Sequence, residues 1–174
     1  MSTKFYFSLD HAVTKDALLS GTNQLSRADW VVNLLRDDFY FLQDGEFSRL
    51  LLNEVLECFI GGQFIASIIL GFSMIERSVA GRLSYIGEKS TAKGNSAQLI
   101  EAALKRSWIT QAEYDHIDKL RTLRNPIAHF KEFMEESRPE VRASLDGKST
   151  AQLLETDAKK TLEAMIHILE KTAL

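Results

Sequence analysis

The sequence predicts an all-α fold, a bundle of about six or seven helices. Three observations carry that expectation. Apolar residues recur with helical periodicity through most of the chain. Turn signals such as Asp44-Gly45 and Gly61-Gly62 cut the periodic stretches into helix-length pieces with mostly short connections. The one strand-like stretch, Lys4-Phe5-Tyr6-Phe7-Ser8-Leu9, has no evident partner strand. It reads as a short N-terminal strand or an extended arm and leaves the class unchanged.

Taken in order, residues 10–19 suggest a short helix. Ser26 is an expected N-cap for a helix running to about residue 42, in which Trp30, Val31, Leu34, Leu35, Phe39 and Leu42 recur with helical spacing. A second helix is expected over 47–60, offering Leu50, Leu51, Val55 and Phe59 to the core, with Gly61-Gly62 ending it. A third, over 63–85, is apolar nearly all round in its first half, as a central buried helix is. Its small residues Ala66, Ser67, Gly71 and Ser73 allow neighbouring helices to approach closely. The stretch 55–75 is about long enough to span a bilayer, but Glu57, Gly61-Gly62 and Gln63 interrupt it. A core helix is therefore expected there, and no membrane span.

Residues 87–95 read as a polar loop, followed by helices over 96–107 and 110–123. The second begins with the capping box Thr110-Gln111-Ala112-Glu113 and carries the apolar stripe Ile117, Leu120, Leu123 and Ile127. Residues 130–150 are charged and irregular. A last helix is expected to start near Thr156-Asp157, with Ala158, Leu162, Met165, Ile166 and Leu169 along one face.

A length of 174 residues fits one domain of ordinary size, able to bury a single sizeable core. Apolar residues at 45% and charged residues at 26% are the usual globular balance. The net charge of −3 excludes the global basic signature of a nucleic-acid binder, so any RNA contact must come from a local patch. The single cysteine, Cys58, excludes an intramolecular disulfide and reads as a buried thiol in an apolar stretch. No secretory signal is apparent, so a cytoplasmic location is expected.

The chemistry-bearing segment is Arg124-Asn125-Pro126-Ile127-Ala128-His129. It sets a permanent cation and a proton-transfer group five residues apart. On an uninterrupted helix such residues point about 140° from each other. Pro126 has no N–H and its ring presses on the Thr122 carbonyl, so a kink or stop is expected. With Asn125 as N-cap and Pro126 at the first helical position, the chain would restart as a new helix. Arg124 and His129 would then converge near a positively polarised N-terminus, a natural phosphate site. The other reading is that Arg124 pairs with a structural carboxylate and His129 packs.

The segment Leu123-Arg124-Asn125-Pro126-Ile127-Ala128-His129-Phe130 resembles the Arg-x4-6-His signature of the HEPN superfamily, in which the residue after the arginine is commonly Asn. Upstream, Gly62-Gln63-Phe64 and the apolar helix ending in Met74-Ile75-Glu76 are similar to the long central helix of these proteins. The closing amphipathic helix fits as well. The resemblance implies a HEPN-like helical domain over 47–174. Residues 1–46, which it does not cover, are expected to be an accessory segment packed on the same domain.

It further implies a homodimer whose two motifs face one another in a composite cleft. The implied activity is metal-independent endoribonuclease chemistry with no cofactor, in a toxin–antitoxin, abortive-infection or antiviral defence setting, with RNA and an antitoxin or defence-system protein as partners. His129 would move protons, Arg124 would hold the scissile phosphate, and Asn125 would orient the histidine or donate to phosphate. Other members of the family are inactive interaction or nucleotide-binding modules, which is the alternative for this chain.

Glu76 is either a partner for Arg124 or an ordinary helix-end charge, and Ser73 lies one turn earlier. Arg121, Lys119 and Lys131, with Lys105 and Arg106, are candidates for an RNA track, with Trp108 or Phe130 as stacking platform. Their alternative is a solvated face interleaved with Glu113, Asp115 and Asp118. Gly147-Lys148-Ser149-Thr150 imitates the end of a P-loop, but Arg142 stands where its first glycine is required. His11, His116 and His167 show no metal-ligand spacing, so no metal site is expected.

Overall fold

The computed structural model describes residues 23–35 and 45–172, and every regular element among them is helical. We label them α1 (residues 23–34), α2 (Gly45–Ile60), α3 (Phe64–Tyr85), α4 (Ser96–Lys105), α5 (Gln111–Ala128), α6 (Pro139–Leu145) and α7 (Thr150–Thr172). A single 3-10 turn, Thr91–Lys93, lies between α3 and α4. The sequence-predicted strand or arm, the helix at 10–19 and residues 36–42 of the first long helix lie outside the described residues.

The core is built around α3, which packs most extensively against α7 and α2. Its Ser67, Ile68, Gly71, Phe72, Met74, Ile75, Val79 and Leu83 are buried. By length and composition alone α3 could cross a membrane. Here those buried side chains place it in the middle of the core. Gly71 marks the closest approach: a Cβ there would meet the Thr161 methyl of α7 at 3.1 Å and Val55 of α2 at 3.6 Å. The turn joining α2 to α3 uses Gly62 at φ +78°, a left-handed conformation that favours glycine. There α1 is fastened, with Arg27 Nε donating to the Ile60 carbonyl at 2.9 Å. Trp30 of α1 meets the Phe59 ring at 5.0 Å, and Val31 is buried in the core.

Four boundaries differ from sequence expectation. Ser26 sits inside α1, because residues 23–25 are already helical, so it caps nothing. The region 130–150 contains α6, which starts with Pro139 at its first position and buries Ala143. The last helix begins at Thr150, six residues before the expected start. Its cap is a reciprocal pair: Gln152 N–H donates to Ser149 Oγ at 3.2 Å, and Ser149 N–H to Gln152 Oε1 at 3.0 Å. Asp157 is instead a buried mid-helix carboxylate, held by both terminal nitrogens of Arg142 at 2.8 and 3.3 Å. That pair ties α6 to α7.

The fourth correction concerns Pro126. Helix α5 runs through it without a restart, from a capping box at Thr110 and Glu113 to a C-cap at His129. Three circumstances let the helix win. Pro126 falls in the last turn, so a single backbone bond, to the Thr122 carbonyl, is forfeited. The turn still closes, since His129 N–H donates to the Asn125 carbonyl at 2.9 Å. Leu123 and Ile127, on either side of the proline, pack against the core and hold both halves to one axis.

Candidate functional site

Because α5 is continuous, Asn125 is not an N-cap and no new helix starts at the motif. The motif lies at the C-terminal pole of α5, whose partial charge is negative and repels phosphate. Any anion affinity must therefore come from side chains. Arg124 lies in the closing turns of α5, whereas His129 is the C-cap just outside the helix.

The two side chains meet different surroundings. Arg124 is half-buried, its guanidinium 5.9 Å from the Phe72 ring centre on α3. Its Nε is buried and has no hydrogen-bond partner, and Arg124 joins no ion pair among the described residues. The structural-carboxylate reading of Arg124 thus finds no carboxylate among the described residues. His129 is exposed and its backbone is extended, at φ −130° and ψ 144°, so its ring leaves the helix end toward solvent. It does not pack into the core. Asn125 is half-buried in the last turn of the helix.

Glu76 is not paired with Arg124. It accepts a hydrogen bond from the Ser96 hydroxyl, at the first residue of α4, and so pins α4 to α3. Ser73 donates to the Ile69 carbonyl of its own helix at 3.0 Å, which leaves it no evident role in the motif.

The basic residues split in two. Arg121 is matched by Asp118 at 2.7 Å and Lys131 by Glu135 at 3.1 Å, so their charge is largely spent locally. Lys105 is likewise matched by Glu101, and Arg106 by Glu88. Lys119 is exposed and joins no ion pair among the described residues. Trp108 is half-buried beneath two guanidinium groups, Arg82 at 4.5 Å and Arg106 at 6.0 Å, and offers no open face comparable to Phe130. Phe130 is 91% exposed beside His129, and Phe133 and Met134 follow at 83% and 66%. The arrangement can hold an anion on Arg124, carry a proton on His129, and stack an aromatic group on Phe130.

Sequence reasoning did not single out a second histidine site. His167 of α7 hydrogen-bonds Glu113 of α5, where His116 and Glu163 line a cavity of about 300 Å³. The Glu113 carboxyl is held down to about 2, first by the backbone N–H of Thr110 and then by the hydrogen bond with His167. The capping box at Glu113 was legible in sequence. Its contact with a residue 54 positions away was not. Cys58 is half-buried and donates to Gln63 Oε1 at 3.4 Å. Burial, and then Glu54 and Glu57, push its thiol up, away from the reactive thiolate.

Comparison with protein-family profiles, with curated proteins and with solved structures yields no match to this chain.

Proposed function

We propose that this protein is a metal-independent endoribonuclease of the HEPN type, acting as a homodimer in a toxin–antitoxin, abortive-infection or antiviral defence setting. The observation that carries the reading is the state of Arg124: a half-buried side chain whose Nε is buried without a hydrogen-bond partner and which joins no ion pair among the described residues, five residues before an exposed histidine. Burying a cation without a partner costs stability. Such a charge is best explained by an anion that arrives from outside.

In the proposed reaction, a His129 imidazole takes the proton of a ribose 2′-hydroxyl. The 2′-oxygen attacks phosphorus, the bond from phosphorus to the 5′-oxygen breaks, and a second His129, protonated, gives its proton to that oxygen. The products are a 2′,3′-cyclic phosphate and a 5′-hydroxyl. Arg124 neutralises the charge gathering on the non-bridging oxygens. A dimer supplies what one chain lacks, since each protomer carries a single motif histidine and the reaction uses both a base and an acid. The exposed Phe130, Phe133 and Met134 offer apolar surface for that contact.

The test is cleavage of a mixed RNA pool in EDTA by wild type, His129→Ala and Arg124→Ala. Wild-type cleavage with cyclic-phosphate ends, reduced at least about 10²-fold in either variant, is expected from the loss of a proton-transfer or charge-stabilising group. A second reading, a catalytically silent interaction or nucleotide-binding module, is favoured by one observation, the continuity of α5 through Pro126. Absence of cleavage by a folded, dimeric wild type selects it.

A further inference from the structure

Between the second half of α3 and the 3-10 turn lies an open cavity of about 360 Å³. Its floor is made of small residues, Ala80 and Gly81 from α3 and Ala92 from the turn. Arg77, Ser84, Lys89 and Lys93 complete the lining. Three cations and a hydroxyl thus share one concavity with no carboxylate among the described residues, in a chain whose net charge is −3. Other cavities contain carboxylates. The α5–α7 cavity holds Glu113 and Glu163, and the one beside α4 holds the Glu101–Lys105 pair.

We infer that this cavity binds a small organic phosphate. The phosphate would lie between Lys89, Lys93 and Arg77, and a compact apolar body would cover Ala80, Gly81 and Ala92. Lys89 and Lys93 are exposed and form no ion pair among the described residues, so their charge is available to a ligand. Arg77 is held in place over the Phe47 ring, 4.5 Å from its centre, which orders one wall in advance. A phosphate dianion matches several cations lining one cavity better than a monocarboxylate does. The floor carries no side chain larger than a methyl group, so a flat ring can approach the backbone of α3. The cavity volume sits at the lower end of the range for small-ligand sites, which favours a ligand of about one ring and one phosphate. Arg77, Ala80, Gly81 and Ser84 form one stripe of α3, whereas Arg124 packs at Phe72, about 140° round the helix from Arg77. The inference therefore stands apart from the motif and from the proposed cleavage.

The experiment is titration of the full chain with phenyl phosphate, followed by calorimetry and amide NMR shifts. Inorganic phosphate, benzyl alcohol and a single-stranded RNA octamer serve as parallel probes. Saturable binding of phenyl phosphate is expected, with shifts confined to α3 and residues 87–95 and weakening at raised salt. Lys89→Ala with Lys93→Ala should weaken it by about tenfold or more, the loss of charge-assisted contacts. Both lysines are exposed, so the fold is kept. Ala92→Leu, which fills the floor, should weaken phenyl phosphate while sparing inorganic phosphate. The proposal is overturned if phenyl phosphate does not bind, or if its affinity is unchanged in the double variant. It is also overturned if only the RNA binds, which would make the cavity part of a nucleic-acid track. RNA cleavage is not a readout here, so failure of the ribonuclease reading leaves this result intact.

Discussion

Arg124 carries a charge that nothing among the described residues neutralises, and this has a consequence for stability. A residue kept for structure loses stability when its polar group is removed. A residue kept for a ligand releases the cost of an unpaired buried donor. Arg124→Met retains packing on Phe72 and should leave thermal stability unchanged or raise it by about 1 kcal/mol, while abolishing cleavage. A clear drop in melting temperature would mark Arg124 as structural. Glu113 makes an opposite prediction. Its carboxyl is ionised in the fold down to about pH 2, whereas an unfolded glutamate ionises near 4.5. The group therefore adds stability above its unfolded pKa, and that contribution is lost as pH falls from about 4.5 toward 2. Glu113→Gln should flatten the fall in melting temperature over this acid range. If the variant and wild type track each other there, the Thr110 and His167 contacts are not maintained in solution. The residue types of the motif were legible in sequence. The burial of Arg124 against a phenylalanine 52 positions away was not, because periodicity carries no information about which helix faces which.

Helix existence was the most readable property at the scale of elements, and helix ends the least. Helices α2 to α5 follow from periodicity and turn glycines, and the Thr110–Glu113 capping box stands where the sequence puts it. The start of α7 was misjudged because Thr156-Asp157 resembles a cap, although Ser149-Thr150-Ala151-Gln152 is a complete capping box six residues earlier. Asp157 points inward because Arg142 is there to meet it, a tertiary fact. Pro126 was misjudged for a related reason. Local sterics argue for a break, but Leu123 and Ile127 gain more by staying in register against the core. Gly71 gives the test at this scale. Gly71→Val would force side-chain atoms against Thr161, Val55 and Leu162, all in helices packed on α3. Overpacking of this kind costs about 1–3 kcal/mol, and a β-branched residue gains little helix propensity in return. Urea denaturation should show a midpoint shift of that size at unchanged slope. An unaltered midpoint would mean that α2 and α7 stand farther from α3.

For the whole molecule, Trp30 of α1 and Trp108 after α4 both report on one core. Trp30 rests on Phe59, with Lys159 of α7 5.6 Å from its ring, and Trp108 packs against the same cluster from beyond α4. If the core is one cooperative unit, the single-tryptophan variants Trp30→Phe and Trp108→Phe should unfold with coincident midpoints. Earlier loss of the Trp30 signal would make α1 a separately melting attachment. By itself the sequence determined the helical class, the central place of the apolar helix α3 and the residue types gathered in one hexapeptide. These depend on the spacing of side chains along the chain, which local periodicity records. Only the tertiary structure decided that α5 continues through Pro126, that Arg124 lies on Phe72 with no ion-pair partner among the described residues while Glu76 serves Ser96, and that Arg77, Lys89 and Lys93 line one cavity. Each of these depends on distances between helices, and such distances are set by packing of the whole core.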